Sequence, residues 1–334
     1  MKTLSFHSLI YNEVLIVHRF LPILFLFLLV GCTSNEVGSN EVVNKEVDRT
    51  NLFESYEQPM ADSIEGYTLG LYNESDFEYE RTFKLNNENT FTKSVVLGNK
   101  TPDHGNFKLL LFNHDRQIDF KVNGDLYSKG YDFDIKADSY KEIKVTLEDL
   151  DDGHHSITYI LIKDPNKVPS TYEESVSISE IYEIRVNLLK NIDKIPDDRP
   201  KKVVSQISEN RRVHGVIVSE SENPYKILYN NNKNQDMTAT LYYGNSEEKS
   251  VDFYLVGLLD FEQIPLNKDD YIYDSLEADE EKSLEIKIDK SKLANKKSFQ
   301  VLMITSPFQP LSKDEPFIFY SSTSSNRINL DMKK

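Results

Sequence analysis

The sequence predicts an all-β protein built from two tandem antiparallel β-sandwich domains, and three observations carry that expectation. Apolar residues recur at every second position in runs such as Ile143 to Leu147 and Leu284 to Ile288, so each such strand buries one face. Tyr, Phe, Val, Ile and Thr fill these runs, and polar turn clusters such as Gly98-Asn99-Lys100 and Asn230 to Lys233 separate them. The chain also aligns with itself. At an offset of 146, Tyr79, Asn86, Thr92, Gly98, Asn99, Phe107, Leu109, Gln117, Ile118 and Tyr127 meet identical residues, from Tyr225 to Tyr273. At 141, Ala137, Asp138 and Lys141 meet Ala278, Asp279 and Lys282. The offset then settles at 142, where Ser156, Ile162, Pro165, Arg185, Asn187 and Leu188 meet Ser298, Ile304, Pro307, Arg327, Asn329 and Leu330. One collinear path with gaps in polar stretches is the mark of a duplicated unit.

The first element in order is an N-terminal leader, residues 1–31. Lys2, His7, His18 and Arg19 precede an apolar run from Phe20 to Val30. Eleven such residues rise about 16 Å as a helix, roughly half of a 30 Å hydrocarbon core. That length suits the apolar region of a signal peptide rather than a permanent span. Leu29-Val30-Gly31-Cys32 closes the run, and Cys32 is the sole cysteine. This resembles the lipobox of bacterial lipoproteins. The resemblance implies cleavage before Cys32, a diacylglyceryl group on its sulfur, and a protein anchored to the cell membrane on its extracytoplasmic face. Acyl chains in plural give stable anchoring where one would not. Loss of residues 1–31 removes Lys2, Arg19 and Glu13, taking the net charge from −16 to −17, so the anchor works without a basic patch.

Residues 32–61 follow as a lipidated start and tether. Asn35-Glu36-Val37, Asn40-Glu41-Val42 and Lys45-Glu46-Val47 are short polar units with no helical or strand period, the composition of a disordered spacer. Such a coil of about 25 residues has a span of roughly 25–30 Å. The two repeats occupy 62–190 and 212–334, each the size of one domain. Between them, 191–211 is a charged linker punctuated by Pro196 and Pro200. Val203 to Val213 fits either a short helix or the first strand of the second domain.

Within the copies, Phe107 to Phe112, Ile157 to Ile162, Phe253 to Leu259 and Phe299 to Ile304 are almost continuously apolar and read as central strands. Leu147-Glu148-Asp149-Leu150-Asp151-Asp152-Gly153-His154-His155 leads into one of them. It is similar to the corner before the penultimate strand of immunoglobulin-like domains, where a polar-tipped residue ties the turn to the strand. The resemblance implies tandem immunoglobulin-like sandwiches. The second copy lacks the Gly and both His, and no Trp or cysteine pair marks the antibody-type subfamily.

Charge and composition exclude several function classes. A net charge of −16 argues against nucleic-acid binding, which needs a basic surface to displace counterions. One cysteine excludes a disulfide framework and every multi-cysteine metal cage. No Gly-x-Ser-x-Gly elbow, phosphate-binding Gly-rich loop or His-Glu-x-x-His zinc helix occurs, and no cofactor is implied. The acidic turn offers one candidate cation site, Asp149, Asp151, Asp152 and His154, although adjacent His154 and His155 on a strand would face opposite ways. Tyr127, Tyr131, Tyr271 and Tyr273 fall at similar places in the two copies and make a candidate binding face. His104 and His114, beside Asp103 and Asp115, are a candidate acid–base pair.

These features favour a non-catalytic, membrane-anchored lipoprotein that binds or scaffolds another cell-envelope component, an envelope protein being one such partner. Two alternatives are a solute-binding lipoprotein of a transport system, which calls for α/β lobes around a cleft, and an envelope hydrolase using two carboxylates. The anchor makes a direct prediction. Cells supplied with labelled palmitate should label the wild-type protein, and Cys32→Ala should remain unlabelled and leave the membrane fraction. Equal labelling of both would remove the anchor.

Overall fold

A computed structural model of the chain describes residues 65–73, 76–203, 205–208, 213–311 and 321–330. The leader, Cys32 and the tether lie outside them. Among the described residues the protein is all-β, with 53% strand and 4% helix, and its strands form antiparallel β-sandwiches. Among the described residues no helix is long and apolar enough to cross a membrane.

The first sandwich contains β1 (Tyr67–Asn73), β2 (Asp76–Phe77), β3 (Thr82–Leu85), β4 (Thr90–Asn99), β5 (Gly105–Asn113) and β6 (Arg116–Gln117). It continues with β7 (Phe120–Val122), β8 (Asp125–Tyr127), β9 (Tyr131–Ile135), β10 (Ser139–Glu148), β11 (Gly153–Lys163), α1 (Tyr172–Ser177) and β12 (Ile181–Lys190). Its outer sheet runs β2-β1-β4-β10-β7-β8, and its inner sheet runs β3-β12-β11-β5-β6 with β9 also on β5. All pairings are antiparallel except β3 beside β12.

The second sandwich contains β13 (Gln206–Ile207), β14 (Gly215–Ser219), β15 (Met237–Gly244), β16 (Val251–Leu259) and β17 (Glu262–Ile264). Then come β18 (Ile272–Leu276), β19 (Glu281–Ile288), α2 (Lys290–Leu293), β20 (Ser298–Thr305), β21 (Thr323–Ser324) and β22 (Ile328–Asn329). The outer sheet is β13-β19-β15-β14. The inner sheet is β17-β16-β20-β21, with β18 on β16 and β22 on β20. The stretch that the sequence left open as helix or strand thus supplies β13, which pairs with β19 through Gln206↔Ser283.

Identical residues in the two copies do identical work. Buried Asn99 donates to the carbonyls of Asp103 and Lys136, and buried Asn245 donates to those of Lys249 and Glu277. Each side-chain oxygen accepts from the backbone N–H two residues on. Asp138 and Asp279 both hold positive φ, 45° and 55°, at a turn where a short polar side chain is tolerated. The parallel contact of β3 with β12 recurs as the bridge between Asn230 and Asn329.

The outer strand β10 alternates as the sequence implies, with Ile143, Val145 and Leu147 buried and Lys144 and Glu148 exposed. The inner strands are buried on both faces. On β5, Phe107, Leu109 and Leu111 enter the core of the first sandwich, whereas Leu110 and Phe112 enter a separate cluster shared with the second. On β16, Phe253 and Leu255 face their own core and Tyr254, Val256 and Leu258 face the shared cluster. Ile160 and Ile162 of β11 and Leu302 and Ile304 of β20 complete that cluster. The continuously apolar runs are therefore the strands that pack one sandwich on the other.

Polar bonds around this seam are exchanged reciprocally. Gln117 N donates to Gln263 Oε1 at 2.6 Å, and Gln263 N donates to Gln117 Oε1 at 2.8 Å. Gln117 Nε2 donates to the Phe261 carbonyl at 3.0 Å, and Gln263 Nε2 donates to the Asp115 carbonyl at 2.9 Å. Residues 115 and 261 are themselves equivalent at the 146 offset. Arg185 donates to the carbonyls of Ser306 and Gln309 in the second copy. Arg327 returns the bond to Asp164 at 2.7 Å and Lys167 at 3.0 Å in the first. Both arginines are fully buried, and burial lowers each guanidinium pKa to about 10, so both stay charged at neutral pH. Asn187 and Asn329 repeat the exchange, donating to Gln309 and Pro169. The two sandwiches are related by a pseudo-two-fold.

Equilibrium unfolding in urea should therefore follow one transition whichever half is probed. Arg327→Leu removes the guanidinium donors to three backbone carbonyls of the first sandwich, at Lys163, Asp164 and Lys167, of which Asp164 keeps the Lys167 N–H. It should cost about 3 kcal/mol of stability, since bonds from a charged donor are individually strong. Two separable transitions in the wild type would contradict a shared core.

Candidate functional site

On one side of the pseudo-two-fold the seam opens into a cleft of about 310 Å³ beside the linker. His114 and Asp115 from the end of β5, Tyr254 from β16, Tyr271 ahead of β18, Pro200 of the linker and Phe308 line it. A groove of about 560 Å³ adjoins it through Tyr271 and brings in Lys201, Lys202, Lys268, Asp269, Asp270 and Tyr273. The walls are aromatic. Tyr254 stands edge-on to Tyr271 at 5.3 Å and lies 5.2 Å from Tyr273, and Phe308 lies 5.2 Å from His114. The Arg199 guanidinium sits 4.4 Å over the Phe308 ring, a cation–π contact. Burial raises the Tyr254 hydroxyl pKa, so the ring is neutral in the physiological range.

Local structure places the histidines. His114 follows β5 at φ 56°, a left-handed position, and its ring meets the His154 ring at 4.9 Å. Alternation on β11 turns His154 to the seam and His155 to the opposite face. Each ring gives its Nε2 proton to an oxygen: His114 to the His154 carbonyl at 3.0 Å, His154 to Asn187 Oδ1 at 3.1 Å, His155 to the Asp151 carbonyl at 2.8 Å. All three are thereby fixed as Nε2–H tautomers, leaving Nδ1 as an acceptor. Asn113 Nδ2 donates to His155 Nδ1 at 2.8 Å, but His114 Nδ1, His154 Nδ1 and Asn113 Oδ1 are buried without a partner. Burial lowers the His114 pKa to about 4 against the backbone bond that raises it, and burial lowers that of His154 too. Burial also raises the Asp115 carboxyl.

The sequence candidates disperse. Asp149, Asp151, Asp152 and His154 do not converge. Asp152 accepts from Asn191 at 2.7 Å, Asp151 uses its carbonyl to hold His155, and His154 points away into the seam. Among the described residues no three His, Cys, Asp or Glu side chains come together as a metal site. His155 is the residue that ties the corner to its strand. Tyr127 and Tyr131 pack on each other at 5.0 Å against the first core, while Tyr271 and Tyr273 stand in the seam cluster. The four tyrosines thus form two separate groups, and only the second pair lines the groove. His104 lies 3.8 Å from Asp134 on the exposed edge, far in role from His114. Sequence reading missed Tyr254, Phe308 and Arg199. A comparison of the two copies would have flagged the first two, since Lys108 stands where Tyr254 does and Asn166 where Phe308 does, whereas Arg199 lies in the linker and has no counterpart.

No family model matches the chain, and no curated protein matches it. Among solved structures, a red sea bream transglutaminase is similar at 9% identity and TM-score 0.22, over 81% of this chain and 32% of that one. The chain thus spans about a third of that enzyme's length. A Salmonella enterica SafA pilin with its SafB chaperone is similar at 9% identity and TM-score 0.23, over 80% of this chain and 97% of that one. A PapD-like domain of human CEP192 reaches 10% identity and TM-score 0.21 over 40% of this chain and 90% of that one. None of these likenesses bears on function.

The neutral, buried His114 makes stability depend on pH. Its folded pKa is about 4 against an ordinary 6.5, so between those values the unfolded chain takes up a proton that the folded chain refuses. Stability should fall as pH drops from 6.5 towards 4, by about 3 kcal/mol at most. His114→Asn keeps a residue tolerant of positive φ and should reduce the slope over this interval in thermal melts, leaving the smaller part that His154 contributes in the same direction. An unchanged slope would show that His114 does not carry it.

Proposed function

We propose that the protein is a non-catalytic binding module, held by lipid on Cys32 at the extracytoplasmic face of the cell membrane, that engages another component of the envelope. The seam cleft carries this reading. It is concave, aromatic and of ligand-binding size, and it is framed by two sandwiches locked together by reciprocal buried bonds. A site on such a frame is pre-organised, which lowers the ordering cost of binding. The histidines beside it have each committed Nε2–H to a neighbouring oxygen, and the arrangement offers no nucleophile paired with a base. Among the described residues the strands form antiparallel sandwiches, whereas the solute-transport alternative calls for α/β lobes.

The test is crosslinking and affinity recovery from intact cells, comparing wild type, Cys32→Ala and Tyr271→Ala at equal expression. A reproducible envelope component recovered with the wild type and reduced in both variants supports an anchored module that uses the cleft. Equal recovery from all three forms overturns it.

A further inference from the structure

The pseudo-two-fold relates the strands and turns of the seam to partners, so the cleft has a counterpart on the opposite side, and the two are built differently, the linker's Arg199 and Pro200 standing on the cleft side alone. At the counterpart, Asp260 stands where His114 does and holds the same left-handed backbone, φ 49° against 56°. Its carboxylate accepts from the backbone N–H groups of Lys297 at 3.0 Å and Ser298 at 2.9 Å. Lys296 stands where His154 does and pairs with Glu262 at 3.4 Å, and Lys129 pairs with the same Glu262 at 3.0 Å. Lys108, in the place of Tyr254, pairs with Asp132 at 2.6 Å. That side is closed by matched charges. On the cleft side the same positions carry two imidazoles and a tyrosine, Phe308 replaces Asn166, and three buried acceptors go unanswered.

Buried acceptors without donors cost free energy, and a duplicated frame that has a satisfied solution on one side departs from it on the other. The chemistry of the departure specifies the missing group. His114 Nδ1, His154 Nδ1 and Asn113 Oδ1 ask for donors. A cation is disfavoured there, because Arg185 and Arg199 both act on His154 electrostatically. Neutral O–H groups remain. Tyr254, Tyr271 and Phe308 present rings against which an aliphatic ring face packs. In the adjoining groove, exposed Lys201 and Lys268 supply donors for the ligand's oxygens, and exposed Asp269 and Asp270 supply acceptors for its hydroxyls.

We infer that the seam cleft binds a hydroxyl-rich glycan, one sugar ring lying on Tyr271 and Phe308 with hydroxyls donated towards His114 and His154, and further units running along the adjoining groove of lysines and aspartates. This rests on the reading of the body as a binding module and is independent of the anchor. Phe308 lies 5.2 Å from the His114 ring and 6.0 Å from the His154 ring, and both Nδ1 atoms are buried, so a hydroxyl reaches them only with a local shift at the cleft floor.

The experiment is calorimetry and saturation-transfer NMR on the full chain in detergent micelles, with chitotetraose as the probe. Tetraethylene glycol, which has ether acceptors but almost no donors, is the control. Saturable binding of chitotetraose alone is expected, weakened about tenfold by Tyr271→Ala and by His154→Phe, as loss of a stacking ring or a hydrogen-bonding acceptor requires. Tyr172→Ala, which removes an exposed tyrosine on α1, should leave it unchanged. Equal binding of the two probes, or wild-type affinity in both cleft variants, overturns the glycan site. So does stoichiometric Zn²⁺ binding that His154→Phe abolishes in the absence of sugar binding, which would make the imidazoles a metal site. Failure here with a protein partner still recovered from cells removes the ligand class alone, whereas failure of both removes the binding module.

Discussion

The structure depends on an exchange of hydrogen bonds between its two halves. Gln117 and Gln263 satisfy each other's backbone, and Arg185 and Arg327 each fill the carbonyl turn of the opposite sandwich. A buried guanidinium is tolerated only when its donors are met, and here the acceptors come from the other half of the chain. The apolar cluster of Leu110, Phe112, Val256 and Leu258 excludes water around these bonds and strengthens them. Apolar packing gives the seam its area, and the arginines give it a unique registration.

Much of the fold is legible in the sequence because a strand with one wet face must alternate. Ile143 to Leu147 shows that alternation and lies in an outer sheet. Phe107 to Phe112 and Ile157 to Ile162 do not alternate, which marks them as central, but periodicity alone does not say what covers the second face. The answer was present in the internal alignment. Gln117, Arg185 and Asn187 recur as Gln263, Arg327 and Asn329, and these identical polar residues have their partners across the symmetry axis, whereas identical Asn99 and Asn245 each bond within their own copy. The short helices α1 and α2 escape a reading based on strand period. Thr171 caps the first by accepting from Glu174 N, and Asp289 caps the second by accepting from Ser291 N.

The candidate site was less legible, and for a different reason. Sequence similarity between copies draws attention to what is shared, such as Tyr127 with Tyr273, whereas the cleft is made by what is not shared. Tyr127 is held in its own core, and Tyr273 gives its hydroxyl to Asp252 at 3.1 Å in the seam. The acidic corner drew attention by its charge density, yet its carboxylates answer separate neighbours, and His155 there is a structural tie. Its neighbour His154 belongs to the cleft because one step along a strand reverses the side chain.

The crossing arginines also set the order in which the molecule can be completed. Arg327 closes on Lys163, Asp164 and Lys167, at separations of 160 to 164 residues. The earlier half of the chain therefore waits for its guanidinium donor until the final described segment of the later half arrives, with only Asp164 of these carbonyls held meanwhile by the turn itself, through Lys167 N–H. Contacts so distant in sequence make folding slow, and they favour a late, concerted closure over the stepwise settling of one half and then the other.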